Sequence, residues 1–194
     1  FIKRFDNYGK FAVFNGLFNF ALMIASPFFA VYMLEDLNFN YFTYTIVSMS
    51  STVFYLLFMP LVGKFSDNYG NKNLFSLSCF LFSINPLLWM LFKNPIALAL
   101  IPQVLVGLAN AAMILAVNNF TYDAVTPKHR PICITYTNIL AGIGVFAGSL
   151  LGGYLIKLHP VALNPILFVF LISAIGRLAV SLLLIPKIKE QKKI

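Results

Sequence analysis

The sequence predicts an all-α integral membrane protein of six transmembrane helices. Hydrophobic residues make up 60% of the chain and charged residues only 10%, whereas about a quarter of a soluble domain is charged. The mean hydropathy is +0.84. The apolar residues fall into six long runs, and most basic residues lie between those runs on one predicted side. Such a chain exposes more apolar surface than a soluble core could bury.

Each of the six runs is long enough to cross a bilayer as a helix, which takes about 20 residues at 1.5 Å per residue. A β-barrel is disfavoured, because barrel strands show alternating segments of about 10 residues. Within the runs, Pro27, Pro60 and Pro86 predict bends in the first three helices. The predicted helices 1 to 6 are 11–34, 41–63, 73–92, 96–120, 132–156 and 165–185, joined by connections at 35–40, 64–72, 93–95, 122–131 and 157–164.

The basic residues orient the predicted bundle. If six helices alternate in direction, only Lys93 and Lys157 fall on one side, together with the acidic pair Glu35 and Asp36. The positive-inside rule therefore places both termini in the cytoplasm, in a plasma or inner membrane. The opposite side carries eleven basic residues: Lys3, Arg4, Lys10, Lys64, Lys72, Lys128, Arg130, Lys187, Lys189, Lys192 and Lys193.

Composition also argues against several other classes. The formal net charge of +8 is spread over short inter-helix clusters, which suits a membrane surface better than a nucleic acid. His129 and His159 fall in connections, and the two thiols of Cys79 and Cys133 cannot form a zinc site without histidine partners, so we predict no metal, no cofactor and no intramembrane enzyme. Both cysteines are interpreted as small buried residues.

Two connections contain short polar motifs. The first, after helix 2, holds Gly63, Asp67, Gly70 and Lys72. It resembles the signature loop of the major facilitator superfamily, in which glycines permit a tight turn and an acidic residue lies at a helix end. Asn68 and Asn71 stand where basic residues are usual. A solvated turn is the alternative interpretation.

The second motif follows helix 4 and holds Asp123, Pro127 and Arg130. It is similar to the superfamily's acidic-xxx-Pro-xx-Arg loop on the same cytoplasmic face. The resemblance implies one half of a twelve-helix transporter, built of two three-helix repeats, about 11–93 and 96–186. Residues 1–10 are then a cytoplasmic lead-in and 187–194 a basic cytoplasmic tail. The opening segment and the altered first motif favour the carboxy-terminal half.

The resemblance further implies that helices 1 and 4 line a central cavity, that helices 2 and 5 meet the other half, and that helices 3 and 6 lie outside. Buried amides are costly in lipid, so polar stripes should face a cavity or a neighbouring helix. We predict a hydrogen-bonding wall for substrate, with bonding between helices as the alternative. Its candidate residues are Asn15, Asn19 and Ser26 on helix 1 and Gln103, Asn110 and Asn118 on helix 4.

Helix 5 carries glycines at every fourth position, Gly144, Gly148 and Gly152, with Gly153 beside them. Such a ladder predicts close helix packing. It also resembles the glycine-rich motif of antiporters in the superfamily, although Ser149 stands where that motif has Pro. Exchange of a drug for a proton is therefore not indicated.

Arg177 is the only strong charge within a predicted span. We interpret it as a residue that snorkels from a peripheral helix towards lipid phosphates, with a transport role as the alternative. No Asp or Glu lies mid-helix, so no proton-relay carboxylate is evident.

The predicted function is half of a secondary active transporter that moves a small solute by alternating access. Its partners would be the solute, membrane lipids and a matching six-helix half, in the same native chain or a partner chain. The alternatives are a non-transporting subunit or receptor of this fold, and a half-sized protein that acts as a dimer. Substrate and coupling ion are not indicated by the sequence, although the amide-rich wall favours a neutral or amphipathic solute.

Overall fold

The computed structural model describes residues 7–158 and 164–189. Lys3, Arg4, His159, Lys192 and Lys193 lie outside these ranges. The described residues contain six helices that are long and apolar enough to span a membrane, which confirms the predicted fold class. They are helix 1 (Asn7–Asp36), helix 2 (Tyr41–Tyr69), helix 3 (Asn71–Leu91), helix 4 (Pro95–Ala124), helix 5 (Pro127–Lys157) and helix 6 (Pro165–Lys187).

Helices 2, 4 and 6 each begin with an asparagine cap at the same end of the bundle. The side chain of Asn40 accepts a hydrogen bond from the amide of Thr43, and Asn94 accepts one from Ile96. Asn164 caps helix 6 in the same way and also donates to Asp36 at 2.8 Å. Each cap satisfies amides that the first helical turn leaves unpaired.

The predicted loop 64–72 is mostly helical. Helix 2 continues through Tyr69 and helix 3 starts at Asn71, so Gly70 alone separates them. Gly70 has a φ of 84°, in the left-handed region that glycine adopts without a steric penalty. Hydropathy could not predict this extension, because a helix does not have to end where the bilayer ends.

Two of the helices are interrupted. In helix 1 an α-helix, Asn7–Ala25, is followed by a turn at Pro27, a short α-helix and a π-helical turn, Tyr32–Asp36. Helix 4 is broken at Pro102, between Pro95–Leu100 and Pro102–Ala124, which was not predicted. Pro60 and Pro86 lie inside uninterrupted helices.

The helices pair in a regular pattern. Helix 1 makes its most extensive contacts with helix 5, and helix 2 makes its most extensive contacts with helix 4. Helix 6 packs against helices 1 and 3. This exchange of partners is what two related three-helix units would produce, although the division into repeats stays a prediction. Helix 6 is therefore packed along one face rather than being only peripheral.

Two aromatic clusters hold the bundle at opposite ends. Near the chain termini, the ring of Phe11 stacks on Phe120 with centroids 4.4 Å apart. At the other end, Phe29 lies 4.4 Å from Phe170 and 5.0 Å from Trp89. Ring contacts therefore join helix 1 to helix 4 at one end and to helices 3 and 6 at the other.

The first and last described segments of the chain are in contact at one end of the bundle. The side chain of Asn7 donates to the backbone oxygen of Lys189 and accepts from its backbone nitrogen, both at 2.7 Å. Ile188 beside this pair is buried. The segment after helix 6 is thus attached to the start of helix 1.

Candidate functional site: a polar cavity within the bundle

A cavity of about 500 Å³ opens among helices 1, 2, 3, 4 and 6. Helix 1 contributes the largest share of its wall, and helices 3 and 4 contribute further amides. Its polar lining residues are Asn15, Asn19, Ser26, Tyr44, Ser48, Asn85, Gln103, Asn110 and Arg177, and its apolar ones include Phe18, Met23, Phe29 and Trp89. This volume lies within the range of about 300–1,000 Å³ for small-molecule sites.

Five of the six candidate wall residues line this cavity. On helix 1, the amide of Asn19 donates to the backbone oxygen of Asn15 at 2.8 Å and to its side-chain oxygen at 3.3 Å. The hydroxyl of Ser26 donates to Leu22 one turn earlier, at 2.9 Å. From helix 4, Gln103 and Asn110 face the same space. Spacings of four and seven residues place side chains on one helix face, as observed.

The placement of Asn118 on this stripe is wrong, because its side chain is exposed and lies outside the cavity. A step of eight residues turns a helix about 80° away from the starting face, at 3.6 residues per turn. The next residue, Asn119, is the one that faces other polar groups: its amide donates to Ser66 and Asn71 at 3.3 and 3.1 Å.

The snorkelling interpretation of Arg177 is also wrong. The side chain is only 1% exposed and lines the cavity. One terminal nitrogen donates to the backbone oxygen of Phe82 on helix 3 at 2.7 Å, and the other donates to Leu22 on helix 1 at 3.1 Å. Helix 6 packs between those helices, so the guanidinium points into the bundle instead of along the lipid.

A sequence signal for this orientation exists. Ser173 and Ser181 lie four residues before and after Arg177, which places all three on one face. The hydroxyl of Ser173 donates to the backbone oxygen of Ala21 at 2.7 Å, so this face packs on helix 1. A polar stripe on an otherwise apolar helix indicates the buried face, and it marks helix 6 as part of the cavity wall.

Helix 3 adds residues that sequence reasoning missed. Asn85 is buried in the cavity wall beside Trp89, on the helix expected to lie outside. Among the described side chains, two buried polar atoms have no hydrogen-bond partner, Oδ1 of Asn85 and Nε of Arg177. Both belong to residues that line the cavity, so the site has an unused acceptor and an unused donor.

Comparison with known proteins agrees with this architecture. A family model described as Major Facilitator Superfamily matches residues 11–194. The chain belongs to the major facilitator superfamily. It is also 27% identical over 104 residues to Multidrug resistance protein 1 of Bacillus subtilis (strain 168). That match covers 54% of this chain and 26% of the relative, so the matched segment spans about a quarter of the relative's length.

The two superfamily motifs meet in one hydrogen-bond network. Ser66 donates to Oδ1 of Asn71 at 2.7 Å, and the amide of Asn71 donates to Asp123 at 2.9 Å. Asn71, which replaces a usual basic residue of the motif, thus contacts the acidic residue of the second motif as a neutral donor. Asn119 completes the network between helices 2, 3 and 4.

The remaining motif residues have separate positions. Asp67 is exposed near the end of helix 2, and a Cβ added to Gly63 would meet nothing within 4 Å. Pro127 begins a 3-10 turn, and Arg130 donates to the backbone oxygens of Val125 and Tyr122 at 3.1 and 3.0 Å. Arg130 thereby satisfies carbonyls at the end of helix 4. Lys72 is partly buried in the first turn of helix 3.

The glycine ladder of helix 5 packs directly on the backbone of helix 1. A Cβ at Gly144, Gly148 or Gly152 would collide with the carbonyl oxygen of Gly16, Phe20 or Ile24 respectively. Gly153 is exposed and an added Cβ there would meet nothing within 4 Å, so its interpretation as a packing residue is not supported. Gly107 on helix 4 does have this role, against Phe54 and Ser51 of helix 2.

Proposed function

We propose that this chain is half of a secondary transporter that binds a small solute in the cavity and carries it across the membrane by alternating access. The observation that carries the proposal is a cavity of about 500 Å³ within a superfamily bundle, lined by both side-chain amides and aromatic rings. Superfamily transporters hold substrate near the midplane, between two six-helix halves that rock about it.

The lining favours an amphipathic solute. Asn19, Gln103 and Asn110 offer hydrogen-bond donors and acceptors, and Phe29 and Trp89 offer ring faces. Apolar walls with a few placed polar groups are typical of small-molecule sites. The name of the Bacillus relative, a multidrug resistance protein, supports organic solutes of this kind.

The exposed apolar faces support a matching half. Leu56 and Leu57 of helix 2 are 64% and 62% exposed, and Phe146 and Leu150 of helix 5 are 67% and 59% exposed. A second six-helix bundle, in the same native chain or a partner chain, would cover part of these faces and close the cavity. A non-transporting subunit or receptor of this fold would need the same packing but no movement of solute.

The test is transport by the native polypeptide in proteoliposomes, using aromatic solutes of neutral, anionic and cationic character. The double variant Asn19→Ala, Asn110→Ala should bind its best solute roughly 30-fold more weakly, from two hydrogen bonds of about 1 kcal/mol each. Asn118→Ala is the matched control, because it removes an exposed amide from the same helix and should leave affinity unchanged.

Two results would overturn the proposal. One is unchanged affinity and transport in the double variant, which would reassign these amides to bonding between helices. The other is saturable binding without any solute flux across the membrane, which would favour the receptor or subunit alternative.

A further inference from the structure

We infer that Arg177, together with Asn85 of the same cavity lining, is a binding site for the anionic group of the transported solute, so that the substrate class is an amphipathic organic anion. This inference rests on the proposed function. It assigns a binding role to helices 3 and 6, which the family resemblance placed outside the cavity.

The guanidinium is held in one orientation. Its two terminal nitrogens donate to the backbone oxygens of Phe82 and Leu22, and the side chain is 1% exposed. Nε remains without a partner and belongs to a residue of the cavity lining. An arginine fixed in this way presents the N–H group of Nε without losing further side-chain entropy on binding.

The charge of this arginine is not balanced within the cavity. Among the described residues that line the cavity, none is acidic. The acidic residues in the described part of the chain, Glu35, Asp36, Asp67 and Asp123, all lie close to helix ends. A cation at membrane depth carries a cost of about 2.5–3.5 kcal/mol on insertion scales, and such residues generally face a partner or a solute. An anionic solute would supply the opposite charge.

Asn85 adds a complementary acceptor. It lies one turn after Phe82, whose carbonyl anchors the guanidinium, and one turn before Trp89. These three residues therefore share one face of helix 3. Oδ1 of Asn85 has no donor. A carboxylate that carries a hydroxyl on the adjacent carbon would accept from Nε of Arg177 and donate to Asn85, with its aromatic body against Trp89.

A purely structural role for Arg177 predicts something different. An arginine that only ties helix 6 to helices 1 and 3 would affect folding, and it would not distinguish an anion from a neutral molecule of the same shape. The discriminating measurement is therefore charge preference, not activity alone.

The probes are naphthylacetate, its neutral amide naphthylacetamide, and the hydroxy acid naphthylglycolate, each measured for binding to the native polypeptide in detergent and for uptake into proteoliposomes. The unaltered protein should bind naphthylacetate at least about tenfold more tightly than the amide, because a hydrogen bond between two charged groups is stronger than one to a neutral amide. Arg177→Gln should bind both with equal affinity, and Asn118→Ala should match the unaltered protein.

Asn85→Ala is the second variant, and it leaves the arginine in place. The unaltered protein should bind naphthylglycolate more tightly than naphthylacetate, because the hydroxyl can donate to Asn85. Asn85→Ala should remove that difference while the preference for naphthylacetate over the amide persists. If Arg177→Gln does not fold, this variant and the unaltered protein still decide the question.

Equal binding of the anion and the amide by the unaltered protein would overturn the inference while leaving the proposed function intact. A preference that survives in Arg177→Gln would overturn it as well. Absence of saturable binding and uptake for every aromatic solute, neutral and cationic ones included, would instead contradict the proposed function.

Discussion

At the scale of single residues, buried polar groups determine where the bundle can act. Amides on helix 1 and helix 4 were predictable from spacing, because a period of 3.6 places residues four and seven apart on one face. Asn118 shows the limit of that reasoning, since one extra residue of spacing turned its side chain outwards. Arg177 shows another limit: its cost in lipid was evident, but its direction depended on which face of helix 6 packs inwards.

The network that joins the two superfamily motifs is sensitive to charge. Asn71→Asp would place a second carboxylate within hydrogen-bond distance of Asp123 and remove the donor that now serves it. Repulsion and the lost bond should lower stability by about 1–3 kcal/mol. The melting temperature in detergent should therefore fall by several degrees.

Asn73→Asp is the matched control, because Asn73 is exposed and bonds only to the backbone oxygen of Tyr69 among its described contacts. It adds the same charge two residues away and should leave the melting temperature nearly unchanged. Equal losses from both variants would show that added charge, and not the network, causes the effect.

At the scale of helices, the composition of the sequence predicted how many transmembrane helices there are, but not the residues at which each begins and ends. Six apolar runs gave six helices, whereas helix 2 extends six residues beyond its predicted end at 63 to reach Tyr69. The length of an apolar run reflects the thickness of the bilayer, whereas the helix itself can continue beyond the bilayer into water. The break at Pro102 has a different cause, since a proline beyond the first helical turn removes a backbone hydrogen bond and its ring kinks or breaks the helix.

Helix 5 offers a prediction in which alanine substitutions at two of its glycines have different effects on stability. Gly148→Ala would press a methyl group into the carbonyl of Phe20 and force helices 1 and 5 apart. We expect a loss of about 1–3 kcal/mol, as for other overpacked sites. Gly153→Ala has open space and should be neutral or up to about 1 kcal/mol stabilising through helix propensity.

Thermal unfolding followed by helical circular dichroism measures both variants. Comparable destabilisation by the two would show that helix 5 tolerates no side chain at either position, contrary to the packing described. Equal tolerance of both would show that helices 1 and 5 are not in backbone contact.

At the scale of the whole molecule, the predicted orientation of the bundle rests on its basic residues. The positive-inside rule predicts that Lys64, near the end of helix 2, lies on the cytoplasmic side, and that Lys157, at the end of helix 5, lies on the other side. Cysteine replacements at these two positions in intact cells should differ: Lys157→Cys should react with an impermeant maleimide, and Lys64→Cys only after permeabilisation. The reverse pattern would invert the topology and place both termini outside.

The hydrogen bonds between Asn7 and Lys189 bring the first and last described segments of the chain together at one corner of the bundle. Because its first and last described segments are hydrogen-bonded to each other, a connecting peptide can join or leave there without disturbing the helices between. Duplication, fusion or pairing of such a unit requires a new connection at one corner only.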